Sequence, residues 1–190
     1  QHVIVTDEQQ GQVVGTYRIL SPRAAREAGR YYSEGEFDLQ RLAHLRGHLV
    51  EIGRSCIDAD YRTGAVITLL WSGLAQYMVR GGYEHLIGCA SLSMADGGHA
   101  AANIYRQVKE QHASPAEYRV FPHAPLPVDD LYTGLATDVP PLIKGYLRAG
   151  AWVCGDPAWD PHFNTADIPM LLPMSNMSAR YARHFLEGAV

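Results

Sequence analysis

Apolar and polar positions alternate at the start of the chain, which predicts two strands, His2–Thr6 and Val13–Leu20, joined by the polar turn D-E-Q-Q-G-Q as a hairpin. Pro22 to Tyr32 is rich in Ala and Arg and predicts a partly helical stretch. After Ser33-Glu34-Gly35, Asp38 is placed to cap a short helix through Leu42 and Leu45. Leu49 to Ile57 predicts another strand, unusual in carrying two charges, Glu51 and Arg54. Thr63 to Val79 then sets Val66, Ile67, Leu70, Leu74, Tyr77 and Met78 on one stripe at helical spacing, and Gly81-Gly82 stops that helix.

Farther on, His85 to Leu92 reads as a strand, Gly98 to His112 as a weaker helix, and Pro141 to Ala149 as a helix between a proline start and Gly150. Ala151–Cys154 and Ile168–Leu172 read as strands, and Ser178–Glu187 as a closing helix. Residues 113–138, with Pro115, Pro122, Pro125 and Pro127, predict a long loop of the kind that usually carries function or is disordered. Strands and helices alternate without a repeating βα unit, so the expected fold is α/β of the α+β kind: a mixed, mostly antiparallel sheet flanked by helices.

At 190 residues, 47% hydrophobic and 19% charged, the chain suits one domain over 1–190 with a real core. A net charge of −4 gives no general reason to expect nucleic acid as a partner. No apolar run reaches the ~20 residues of a membrane span, and no signal peptide is visible, so a cytoplasmic protein is expected. The chain does not open on Met, and an N-terminal segment is expected to be missing. Cys56, Cys89 and Cys154 are odd in number and widely spaced, which fits reduced thiols and neither a disulfide framework nor zinc. His44 and His48 stand at i,i+4 without a third ligand, so no metal is expected. No G-x-G-x-x-G or G-K-[ST] motif appears. Arg18, Arg23, Arg26 and Arg30 fall in one stretch, either a solvated face or a landing patch for an acidic partner.

The chemistry concentrates between Leu49 and Tyr77. A charged strand, a turn at Arg62-Thr63-Gly64 and a helix N-terminus gather free backbone N–H groups and the positive end of a helix dipole at one point. A phosphate held there would lay its attached arm along the strand bearing Glu51, an arrangement suited to acyl transfer.

The segments V-V-G-T-Y-R-I-L (Val13–Leu20), Y-S-E-G-E-F-D-L (Tyr32–Leu39), E-I-G-R-S-C-I (Glu51–Ile57), Y-R-T-G-A-V-I, L-I-G-C-A-S (Leu86–Ser91), P-P-L-I-K-G-Y-L-R (Pro140–Arg148) and H-F-N-T-A-D (His162–Asp167) together resemble ornithine–acyl carrier protein N-acyltransferases of the GNAT superfamily. That family makes the lyso precursor of bacterial ornithine lipids. A more distant resemblance is to acyl-homoserine-lactone synthases, through Gly15 with Arg18, then Phe37, then Glu51 with Arg54. The resemblance implies a GNAT-like sheet whose central strands splay apart, and a donor thioester on acyl carrier protein. It also implies a small amino-acid acceptor, ornithine by likeness, and peripheral contact with the inner membrane through the lipid product.

GNAT enzymes that use coenzyme A show a pyrophosphate loop of the form [Q/R]-x-x-G-x-[G/A]; here Arg62-Thr63-Gly64-Ala65 offers one glycine and shortened spacing. A reduced cradle suits the single phosphate of a carrier-protein phosphopantetheine better than coenzyme A, and no tightly bound cofactor is expected. Glu51 is the candidate base for the acceptor amine, or else a structural partner of Arg54 or Arg18. Those two arginines are candidates to grip the acceptor carboxylate, with the alternative of a strand-edge ion pair. Backbone N–H groups near Ser55 and Cys56 are candidate oxyanion donors, Cys56 and Ile57 candidate contacts for the acyl-phosphopantetheine arm, and the amides from Arg62 to Val66 candidate phosphate ligands.

Phe37 reads as core or as pocket wall, and Asp167 as a ligand for the acceptor's side-chain ammonium or a turn cap. Leu69, Leu70, Trp71, Leu86, Ile87, Met170 and Leu171 are candidates for an acyl tunnel, though each also suits ordinary core. Competing readings are an N-acyl amino acid or lactone synthase with another acceptor, a non-catalytic module of the same fold, and an acetyl-coenzyme A acetyltransferase.

Overall fold

The structure is a computed structural model that describes residues 1–177 and 181, so the closing helix expected over Ser178–Glu187 falls almost entirely outside the described residues. The strands are β1 (His2–Asp7), β2 (Gln12–Leu20), β3 (Phe37–Asp38), β4 (Leu49–Ile57), β5 (His85–Ser93), β6 (Phe121–Pro122), β7 (Trp152–Val153), β8 (Ala158–Asp160) and β9 (Thr165–Pro173). The helices are α1 (Pro22–Glu27), α2 (Ala65–Gly81), α3 (His99–His112), α4 (Val128–Leu131) and α5 (Pro141–Ala149), with 3₁₀ turns at Tyr32–Gly35, Gln40–Leu45 and Ala59–Tyr61. A seven-stranded sheet runs β1-β2-β4-β5-β9-β7, and β8 also pairs with β9. Only β4 and β5 are parallel; the other pairs within this sheet are antiparallel, as expected.

Because side chains alternate across a strand, the sheet has two distinct faces. On one, α3 and α5 cover Ala90, Leu92, Ile168 and Met170, while α2 covers Ile19, Val50 and Leu86. On the other, irregular chain around Tyr31, Phe37, Leu39, Leu42 and Val120 covers Leu49, Ile87 and Leu171.

Several expected elements are shifted for identifiable reasons. The Ala/Arg-rich stretch is helical only to Glu27, since Gly29 takes a left-handed conformation at φ +84°. Asp38 accepts the Gln40 N–H at 2.8 Å but does not cap a helix: the segment is a 3₁₀ turn with Leu39 at its N-cap and no side-chain cap bond. The proline-rich span is ordered: bridges Ala113–Val153, Val120–Gly155 and Pro125–Ala158 lash it to the β7–β8 edge. Neither β3 nor β8 is announced by the local pattern, each being only two or three residues long. Leu69 is exposed on α2, while Leu70 and Leu171 are core.

Gly150 ends α5 at φ +110°, where an added Cβ would lie 2.3 Å from the Asn176 carbonyl oxygen. Gly150→Ala is expected to cost about 2 kcal/mol from the left-handed backbone and the clash combined. A thermal melt checks this, and a Tm within about 1 °C of the parent contradicts it.

Candidate active site

The ladder between β4 and β5 runs only through Leu49–His85, Val50–Leu86 and Glu51–Ile87. Beyond that point Ile52–Ile57 and Gly88–Ser93 are not paired with each other. Each instead keeps its outer neighbour: β4 pairs with β2 and β5 with β9 along its full length. Gly88 sits at the fork, where a Cβ would come within 2.7 Å of the Ile52 carbonyl oxygen, so only glycine lets the strands diverge there without a clash.

A second irregularity aims a side chain. Arg18 pairs with Gly53 and Thr16 with Cys56, so Arg54 and Ser55 together stand opposite Tyr17 alone, a β-bulge. Arg54 takes φ +52° within it, a left-handed conformation costing about 1–2 kcal/mol for a non-glycine residue. The bulge keeps Arg54 on the Glu51 face, where its guanidinium lies 5.4 Å from the Tyr32 ring centre and 5.0 Å from that of Phe163. Arg18 reaches the same ring from β2 at 4.9 Å, and its Nε is buried with no hydrogen-bond partner. Two guanidiniums thus flank one aromatic ring beside the opening, with capacity to bind a carboxylate.

Through the opening runs a cavity of about 570 Å³. On the helical side Leu74, Ala75, Leu86, Ile143, Tyr146 and Leu172 make it apolar. On the opposite side Arg18, Arg54, Tyr32, Ser33, Glu51, Asp160 and Asp167 make it polar and charged.

Glu51 is buried, at 1% exposure, and its charge is met by hydrogen bonds. Its carboxylate accepts the Tyr32 N–H and the Ser33 N–H, each at 2.7 Å, and a hydrogen bond from the Ser33 hydroxyl. The residue therefore pins the 3₁₀ turn that walls the cavity. A carboxylate has about four lone-pair sites, so roughly one remains for an amine or water.

The structure places Glu36, Asp160 and Asp167 with one carboxylate oxygen each inside 4.8 Å of one another. Burial first, and then the neighbouring Asp167 charge, push the Glu36 carboxyl up to about 8. Asp167 is 4% exposed, and beyond its contact with Glu36 its Oδ1 meets no donor. Cys89, nearby on β5, is an unsuitable nucleophile because burial and the Glu36 charge raise its thiol well above the ordinary range. Burial likewise holds the Cys154 thiol at about 12.

Sequence comparison decides the family. An acetyltransferase (GNAT) domain model matches residues 1–72. The L-ornithine N(alpha)-acyltransferase of Brucella abortus (strain 2308) is 32% identical over 198 residues, spanning 97% of this chain and 70% of the relative. That of Agrobacterium fabrum (strain C58 / ATCC 33970) is 34% identical over 198 residues, spanning 97% and 68%. The chain belongs to the L-ornithine N(alpha)-acyltransferase family. It is an acyltransferase, and its fold is that of the GNAT enzymes. An aminoglycoside 6'-N-acetyltransferase complexed with coenzyme A superposes with a TM-score of 0.51 at 12% identity, covering 91% of this chain and 72% of that one. The acyl-homoserine-lactone synthase LasI aligns at TM-score 0.48 and 13% identity, over 98% and 68% of the two chains.

Within this family member, the residues singled out by sequence divide into three groups. Glu51, Arg54, Ser55, Arg18 and Asp167 all line the cavity. Phe37 does not: it is 1% exposed in the core with Tyr31 and Leu42, away from the cavity wall. Cys56 is exposed and Ile57 half-buried, both past the fork and off the cavity wall.

The third group, Arg62, Thr63, Gly64, Ala65 and Val66, lies at the α2 N-terminus. Gly64 takes φ +94°, and the first helical bond runs from Thr68 N–H to the Gly64 carbonyl at 3.2 Å. The amides of Ala65 to Ile67 therefore stand outside the intrahelical ladder, open to an acceptor. Trp71, Leu86, Ile87 and Met170 of the proposed acyl wall do line the cavity. Of the arginine stretch, Arg18 turns inward, while Arg23, Arg26 and Arg30 are exposed, Arg23 paired with Glu27 at 2.8 Å.

Sequence reasoning missed Glu36 and Asp160, and also the anchoring of Tyr32 and Ser33 by Glu51. The one local hint was the acid-rich run E-G-E before Phe37, where Glu36 sits against a residue that had to be buried. Asp160 carries no signal, because its place depends on β8 folding back along β9.

Proposed function

We propose that this chain transfers a long acyl group from the phosphopantetheine thioester of acyl carrier protein to the α-amine of L-ornithine, giving a lyso-ornithine lipid. The observation that carries the reading is the cavity passing between parted strands, apolar on one side and charged on the other. Such a passage lets an acyl chain and an amino acid approach one thioester carbonyl from opposite faces of the sheet. A chain of roughly fourteen CH₂ groups supplies on the order of 10 kcal/mol of gross transfer free energy at ~0.8 kcal/mol each, which calls for an apolar chamber of this kind. An acetyl group would leave most of it empty.

In this mechanism the pantetheine arm follows the unpaired edge of β4, with its phosphate at the amides of Arg62 to Val66. Backbone N–H groups around Ser55 at the bulge stabilise the oxyanion of the tetrahedral intermediate. Arg18 and Arg54 hold the acceptor carboxylate beside Tyr32. The α-amine has an ordinary pKa near 8, so a carboxylate need only assist its deprotonation. Glu51 takes that proton, directly or through one water, with its remaining acceptor site. The nitrogen attacks the thioester carbon, the C–S bond breaks, and the thiolate leaves on the carrier arm, taking up through solvent the second proton that the nitrogen sheds as the amide forms.

Carrier protein is favoured over coenzyme A by the single-glycine turn, and the exposed Arg23, Arg26 and Arg30 suit an acidic carrier surface. Among the described residues no helix is long and apolar enough to cross a membrane. The lipid product implies peripheral contact with a bilayer as it leaves.

The test supplies one long-chain acyl group on acyl carrier protein and, separately, on coenzyme A. Each donor is offered to ornithine, lysine, glycine, tyrosine and S-adenosylmethionine, and amide products are read by mass. Acylated ornithine from the carrier-protein donor is expected. Acylation of another amine only, or none with a chain that still binds donor, contradicts the reading in favour of a different acceptor or a non-catalytic module.

A further inference from the structure

We propose that Glu36, Asp160 and Asp167 form a subsite for the acceptor's side-chain ammonium, and that this cation enters in exchange for the proton on Glu36. The inference rests on the N-acyltransferase reading of the cavity and goes beyond it by naming what selects a dibasic amino acid. Asp167 and Asp160 line the charged side of the cavity, and Glu36 stands behind them, off its wall. Beyond the contact that Glu36 and Asp167 make with each other, the buried Asp167 Oδ1 and the buried Glu36 Oε2 meet no donor. Desolvated carboxylate oxygens without donors are costly, and an ammonium with three N–H groups meets that need.

The surroundings of Glu36 define its resting state. It is faced by Asp167 from β9, Asp160 from β8, the Cys89 thiol from β5 and the Tyr32 phenol from the 3₁₀ turn, with the Arg54 guanidinium beyond that ring. No lysine or arginine is among its direct neighbours in that set, and its carboxyl is raised to about 8. A raised carboxyl is protonated below that value, so at neutral pH Glu36 keeps its proton and bonds to Asp167. An arriving ammonium supplies the missing positive charge and favours ionised Glu36. The O–H bond of Glu36 breaks, its proton passes to buffer, and the ammonium keeps its own three protons. Glu36 is thus a positioning residue, acting through Asp167. The α-amine lies toward Glu51 and Arg54, so one site orients the two nitrogens of a diamine and reserves the reacting one for the thioester.

The comparison of ornithine with norvaline, its analogue lacking only the side-chain amine, tests this on the full chain. The wild type is expected to prefer ornithine in kcat/KM by at least about a hundredfold, as a site built to bond an N–H rejects the analogue without it. Asp167→Asn removes most of that preference, mainly through KM, and Asp160→Asn serves the same purpose if the first variant fails to fold.

Calorimetric titration near neutral pH in buffers of different ionisation enthalpy should show more protons released by ornithine than by norvaline. Glu36→Gln abolishes that excess, a readout that a merely structural role would not move. Full preference retained in both aspartate variants, or an undiminished excess in Glu36→Gln, overturns the proposal. So does tight binding of Ca²⁺ or Mg²⁺ alone that is lost in Asp167→Asn, which would make the trio a metal site. Equal acylation of norvaline and ornithine by the wild type sinks the subsite and leaves N-acylation standing; no acylation of either sinks the underlying reading.

Discussion

Glu51→Gln is expected to lower kcat by about a hundredfold or more while binding of the acyl donor persists, the range seen when a general base is removed. Two effects combine in that loss. The amide cannot take a proton at neutral pH, and its NH₂ end must face donors, because both carboxylate oxygens now accept hydrogen bonds from Tyr32 and Ser33. Glu51→Ala separates the two. It leaves both buried backbone N–H groups without an acceptor, at about 1–3 kcal/mol for each group stranded, so stability falls as well as turnover. Donor affinity, steady-state rates and a denaturant titration on both variants check this. A folded Glu51→Gln protein with near-parental kcat would remove Glu51 from proton transfer and leave it only as the anchor of the cavity wall.

The second large effect is expected at the fork. Gly88 has no side chain, and a Cβ there would press on the Ile52 carbonyl oxygen at 2.7 Å. In Gly88→Val the branched side chain must push β4 and β5 into a new spacing where the thioester is expected to sit. Misplacement of reacting groups by about 1 Å costs on the order of a hundredfold in rate, while overpacking costs about 1–3 kcal/mol of stability. Turnover should therefore collapse in a protein that is still folded at assay temperature. Parental turnover in that variant would show that the gap between these strands has no part in the reaction.

Much of this arrangement could be read from the chain before its coordinates. The β1–β2 hairpin, the strand with Glu51 and Arg54, α2, β5 and α5 each carry a local signature of alternation, helical spacing or glycine and proline punctuation, and each appears within a few residues of its expected place. What local pattern does not encode is which neighbour a side chain meets. In the sequence Glu51 is one of two charges on an apolar strand, a base or a partner of Arg54 or Arg18, and only the return of the 32–35 turn across the sheet reveals three donors. Arg54 points to the Glu51 face only because of a bulge, which depends on pairing between β2 and β4. Glu36 and Asp160 meet Asp167 through a 3₁₀ turn and a three-residue strand, elements too short to show a period. Leu69 illustrates the converse: it is as apolar as Leu70, yet one step around the helix turns it to solvent.

The most direct measurement is a crystal structure with a non-hydrolysable thioether analogue of long-chain acyl-pantetheine. Its sulfur should lie between Ile52–Ser55 and Gly88–Ser91, beside Glu51, with the alkyl chain against Leu74, Ile143 and Leu172. A ligand seated elsewhere, with the two strands and the cavity between them unoccupied, would contradict the account.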